Sequence, residues 1–77
     1  QAEIIHAKVL KASKLINKSI EDADLPAGLR VGLIKKNDKI ITPEKDTKIE
    51  LNDEILFLCM TEDIKKAEAL FQVRSEY

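Results

Sequence analysis

In "EIIHAKVL" the apolar residues Ile5, Ala7 and Val9 alternate with His6 and Lys8, the period-two pattern of a strand with one buried face. The stretch "SKLINKSIEDAD" then spaces Leu15, Ile16, Ile20 and Ala23 at helical intervals behind Ser13, a residue suited to cap free helix amides. A short amphipathic helix is expected there. Pro26 and Gly28 end it, proline by disfavouring helical backbone at the preceding residue and glycine by opening positive φ. Residues 29–36 and 39–42 are rich in Val, Ile and Leu and flank Asn37-Asp38, a pair that tolerates left-handed backbone, so they predict a β-hairpin. Pro43 closes its second arm. The charged loop "EKDTKIELND" follows, with at most a brief edge strand over 48–51. The unbroken apolarity of "EILFLCM" predicts a central strand covered on both faces. In "TEDIKKAEALFQ" Thr61 is the expected N-cap, Glu62 and Asp63 face the positive helix end, and Ile64, Ala67 and Phe71 form one stripe.

The resulting order is β-α-β-β-(β)-β-α, an α+β domain with a mostly antiparallel sheet and helices packed on it. Residues 1–77 read as a single domain without repeats or low-complexity segments. A chain this short hides only about 60% of its unfolded surface, which leaves area for a partner. With 13 basic and 14 acidic side chains the net charge is -1, so the attraction that nucleic-acid and anionic-membrane binders rely on is missing. The one cysteine can form no internal disulfide, as suits a reducing compartment. The longest apolar run, residues 55–60, is far below the roughly 18–20 residues of a membrane span. The chain opens in apolar alternation without an initiator methionine, which suggests a domain cut from a longer protein.

Catalytic vocabulary is sparse. His6 has no nucleophile or carboxylate placed beside it by a recognisable motif and reads as an exposed strand residue. Cys59, inside the most apolar run, reads as a small buried hydrophobe. Glu21, Asp22 and Asp24 lack the spacing of a calcium loop and read as a solvated face. Lys35 and Lys36, on opposite faces of their strand, and Lys39 read as guards of a sheet edge. Neither GxGxxG nor GxxxxGK[ST] occurs. No paired acid and base or activated nucleophile supports a small α+β enzyme, so the residues themselves favour a dimerising or ligand-binding module.

The ordered set "DLP" plus small residues, "VGLIKKND", "KIITP", "DTKIELNDEILFL" and the closing "EALF" resembles the TrkA-C family, the RCK C-terminal domain, over nearly the whole chain. The ending "ALFQ" resembles the extreme C-terminus of such a subunit. The resemblance implies a cytoplasmic subunit peripheral to the membrane that gates a membrane-embedded potassium uptake protein. A Rossmann-like domain binding NAD or ATP would precede this one, which itself would carry no cofactor and bind no nucleic acid. The alternative carrier is another cation or anion transporter, with this domain as its cytoplasmic tail. Within the family the domain pairs as a homodimer and in some members binds cyclic di-AMP between copies. The pocket positions matched here are Ile20, Asp24, Arg30, Val31 and Pro43. Where cyclic di-AMP binders carry an arginine and an asparagine, this chain has Pro26 and Arg30, and simple alternation sends Arg30 to the side of Gly32 and Ile34. Cyclic di-AMP is therefore expected to bind weakly.

Overall fold

The computed structural model describes residues 1–71; the sequence's closing "ALFQ" signature and the last residue of the expected final helix extend beyond them. Four strands form one antiparallel sheet: β1 (Ala2–Lys8), β2 (Leu29–Lys36), β3 (Lys39–Ile41) and β4 (Glu54–Met60), in the order β1-β4-β2-β3. One helix, α1 (Ile64–Phe71), follows a 3₁₀ turn at Thr61–Asp63. The α+β class and the central place of β4 agree with the sequence. At the hairpin tip Asn37 and Asp38 both take positive φ (47° and 68°), as a two-residue loop matched to strand twist requires.

The inner face of the sheet holds the core. Ile5 and Ala7 of β1, Ile55, Phe57 and Cys59 of β4, and Leu29 and Ile34 of β2 are all buried. From α1, Ala67 and Phe71 close over them, and the rings of Phe57 and Phe71 stack with centroids 5.0 Å apart at 15°. Cys59 lies in this layer, where burial first and the charges of Asp63 and Glu3 next push its thiol pKa up, consistent with an unreactive residue.

Residues 13–24 depart from expectation. Instead of a helix they form successive turns and one 3₁₀ turn at Glu21–Ala23. Asn17 has φ 68°, incompatible with a helix interior, and the amides of Asn17, Ile20 and Glu21 donate to the carbonyls of Ile49, Thr47 and Lys45. Asn17, Ser19 and Asp22 are weak helix formers, so pairing with 45–49 wins over helical bonds. The apolar spacing still serves: Leu15 and Ala23 are buried, Ile16 and Ile20 half-buried against the core. Ser13 caps no helix; its hydroxyl accepts from the Leu15 amide and donates to the Leu70 carbonyl at 2.8 Å, fastening this loop to α1. The edge strand at 48–51 reduces to a single bridge, Ser19 to Lys48.

Two smaller corrections concern caps and glycine. No side chain caps the turn that Thr61 begins, and the residue before it, Met60, is extended. Gly28 does not have positive φ; it is small because a Cβ there would strike the Asp63 carboxylate and the Met60 side chain, while its carbonyl accepts from the Met60 amide at 2.9 Å.

The sequence makes Lys36 an edge guard beside Lys35, but β2 lies between β4 and β3 and is no edge. Its ammonium bridges Glu50 (2.9 Å) and the buried Asp53. The Asp53 carboxylate also accepts from the Glu50 amide at 2.8 Å, which shapes the 50–53 turn leading into β4. Burial lowers the Lys36 pKa, but hydrogen bonds and charge from Asp53 and Glu50 outweigh it and leave it above the ordinary 10.5. The hydrogen bond and then the charge of Lys36 hold Glu50 below the usual carboxylate value.

Phe57→Ala is expected to cost about 3–5 kcal/mol, most of the stability of a domain this small, and to abolish a cooperative thermal transition measured by circular dichroism. Lys36→Met should destabilise by about 1.5–3 kcal/mol at neutral pH. A lysine with a raised folded pKa contributes fully below its unfolded value and loses that contribution as pH rises through the folded one; a lowered glutamate loses its contribution as pH falls. The stability difference from wild type, read by urea denaturation, should therefore stay level between about pH 5 and pH 10 and narrow outside that window.

Candidate functional site: the open face of the sheet

β4 alternates between two environments. Ile55, Phe57 and Cys59 are buried inside, whereas Leu56, Leu58 and Met60 are 39%, 46% and 37% exposed on the other side. The expectation that both faces of this strand are covered fails among the described residues, because α1 and the 9–23 loop lie on the same side. In register with these residues, Ile4 stands opposite Leu58 and Leu33 opposite Leu56; Ile4 and Ile40 are two-thirds exposed. The result is a contiguous apolar face across all four strands.

A β-bulge decides which residues of β2 join it. Pairing shifts between Val31 and Leu33, so Arg30 stands opposite Leu58 while Leu33 stands opposite Leu56, and Ile34 falls opposite Ile55 on the inner side. Arg30 and Ile34 therefore point to opposite faces, contrary to simple alternation. Gly32 suits the bulge, since a Cβ there would sit 3.3 Å from the Leu56 carbonyl oxygen.

Two shallow hollows mark the face. One, of about 280 Å³, is bordered by Ile4, Arg30, Val31, Gly32, Leu56 and Leu58. The other, of about 290 Å³, lies among His6, Leu33, Lys35, Ile40, Glu54 and Leu56. Glu54 is the electrostatic centre of the second: Lys8 and Lys35 are its register neighbours on either side, His6 Nε2 is 3.1 Å from its Oε1, and Lys35 Nζ is 4.0 Å from its Oε2. His6 is thus exposed, as expected, but has a carboxylate partner 48 positions away that the sequence did not place.

Of the five residues matched to a family pocket, the structure brings Arg30 and Val31 to the first hollow. Asp24, left-handed at φ 52°, borders a separate groove of about 570 Å³ between residues 24–27 and α1, with Lys14, Pro26, Asp63 and Lys66. Ile20 is half-buried against the core, and Pro43 is half-buried after β3. Glu21 and Asp22 are exposed. The sequence signal that could have exposed the open face was the apolar run of β4 itself, whose Leu56 and Leu58 read the same in sequence whether covered or exposed.

A profile of the TrkA-C domain family matches residues 4–72. Among curated proteins, the chain is similar to the Trk system potassium uptake protein TrkA of Azorhizobium caulinodans, 33% identical over 75 residues that cover 97% of this chain and 16% of that protein. It is also similar to a TrkA homolog of Archaeoglobus fulgidus, 30% identical over 64 residues that cover 83% of this chain and 15% of that one. The chain thus spans about one-sixth of the curated relatives it matches. Among solved structures, the RCK_C domain dimer of S. agalactiae BusR in complex with c-di-AMP superposes with a TM-score of 0.80 at 23% identity, covering 92% of this chain and 97% of that one. The KtrA RCK C domain in complex with c-di-AMP gives 0.74 at 24% identity, covering 88% and 81%. BusR in complex with its busA-promotor DNA gives 0.80 at 22% identity, with 95% of this chain but 38% of that one covered.

Proposed function

This chain belongs to the TrkA-C domain family, and on that footing we propose that it is a non-catalytic regulatory module of a potassium uptake system that works as a homodimer. The observation that carries the proposal is the open apolar face. Contiguous exposed leucines and isoleucines in register across a sheet mark an interaction surface, and a two-fold axis lets one such face cover another identical one. The rim, with Arg30, Lys35 and His6 alongside Glu54, offers both signs of charge for cross-pairing.

The transporter is membrane-embedded and reached through the rest of a longer protein, in which a preceding nucleotide-binding domain holds NAD or ATP. This places the module at the cytoplasmic side of the membrane; no helix among the described residues is long and apolar enough to cross it. The net charge of -1 supports no direct contact with nucleic acid. An effector bound between copies would shift the balance between two arrangements of the dimer in proportion to its differential affinity. Residues Ile20, Asp24, Arg30, Val31 and Pro43 are the proposed contributors. Arg30 has no carboxylate partner among the described residues and faces the shared surface, so its guanidinium is the donor available to an anionic effector.

Leu58→Glu should yield a monomer by sedimentation where wild type is a dimer at micromolar concentration, with a melting temperature changed little from that of an isolated wild-type copy because the side chain is exposed there. A wild-type monomer at high protein concentration would sink the dimer reading. Cyclic di-AMP should bind with a dissociation constant above about 1 µM by titration calorimetry, because Pro26 supplies no donor for a phosphodiester. Pro26→Arg should tighten binding by about tenfold or more if a missing charge-assisted contact is the cause.

A further inference from the structure

We infer that Met60 is an oxidation site through which peroxide weakens the pairing of the open faces. The inference rests on the dimer proposed above and adds a redox response to it. Met60 ends the outward-facing series of β4, two positions beyond Leu58, and is exposed in a single copy. It stands opposite Ala2 of β1, which is also exposed, and its amide donates to the Gly28 carbonyl at 2.9 Å. Its side chain lies against Gly28, where a Cβ would come within 2.8 Å of the Met60 Cγ. The side chain thus belongs to the apolar face that a second copy covers, and it is open to solvent when that copy is absent.

The chain holds one methionine and one cysteine, and its fold directs an oxidant to the first. Cys59 is wholly buried; burial first, then the charges of Asp63 and Glu3, raise its thiol pKa, so little of the reactive thiolate forms. Met60 needs no ionisation. Its sulfur takes one oxygen from hydrogen peroxide: the O–O bond breaks, an S–O bond forms, sulfur gives up two electrons and the second oxygen leaves as water. A polar sulfoxide replaces an apolar thioether. In a single copy the new oxygen is hydrated at the exposed end of β4. Pairing strips that water, and the immediate sheet neighbours Ala2, Gly28 and Leu58 carry no side-chain donor to replace it. A two-fold axis makes this cost fall on both copies. The effect is reciprocal, because a covered sulfur is also slower to oxidise.

The test treats the wild-type chain with hydrogen peroxide, follows uptake of a single oxygen atom by intact mass, and compares treated and untreated protein by sedimentation equilibrium. The dimer dissociation constant should rise about tenfold or more on oxidation, with the circular dichroism spectrum retained. Reduction of the sulfoxide by a methionine sulfoxide reductase should restore it. Oxygen uptake should slow as protein concentration rises through the dissociation constant. Met60→Leu, which keeps the face apolar, should take up no oxygen and change by less than about threefold on the same treatment. A wild type that takes up no oxygen, an oxidised dimer as tight as the untreated one, a loss of pairing that comes with loss of the folded spectrum, or a weakening that Met60→Leu shows in full overturns the oxidation site alone. An uptake rate independent of protein concentration, with the untreated chain dimeric, places Met60 outside the covered surface and overturns it as well. An untreated wild type that is monomeric at high concentration overturns the dimer on which the inference rests.

Discussion

A sheet has two faces, and among the described residues everything that covers this one lies on a single side. α1 closes over the inner side through Ala67 and Phe71, and the 9–23 loop adds Val9, Leu15 and Ala23 to the same layer. Among the described residues no second helix covers the opposite side, yet that side carries Ile4, Leu33, Leu56 and Leu58. Domain size and the one-sided cover together produce the exposed apolar face, and the proposed pairing follows from it.

The one-sided cover depends on a segment with little regular structure of its own. Residues 13–24 are held largely by main-chain bonds to 45–49 and by the Ser13 hydroxyl on the Leu70 carbonyl. Asp53 performs a similar service at the mouth of β4, where Lys36 neutralises it and the Glu50 amide donates to it. These attachments let short turns do what a helix was expected to do. They also explain how a domain with one eight-residue helix among its described residues can bury Leu15 and Ile49 almost completely.

Much of this was legible from local pattern. The alternation of Ile5 and Ala7, the Asn37-Asp38 tip and the stripe of Ala67 and Phe71 each depend on neighbours a few residues away, and all three stand in the structure. The expected helix over 13–24 failed because competition came from 45–49, a segment whose pairing leaves no mark in the spacing of Leu15, Ile16 and Ile20. The Lys36 bridge and the His6–Glu54 contact join residues 17 and 48 positions apart, and nothing in the order of residues announces them. For the candidate site, the family resemblance pointed to Arg30 and Val31, chain neighbours that both border the first hollow, but the exposed side of β4 could not be told from a buried one by composition.

The bulge at Gly32 also sets how this strand can change over time. A strand of regular alternation assigns each position to a side by odd or even number, and the extra residue inverts that assignment for everything beyond it. Arg30 and Leu33, three apart, consequently share a side. A lineage that lost one residue here would not shorten the strand slightly; it would turn either the Arg30 end or the Leu33 end inside out, driving a guanidinium into the core or a leucine out of the shared surface. Point substitutions can drift along β2, but its length between 30 and 33 is effectively frozen.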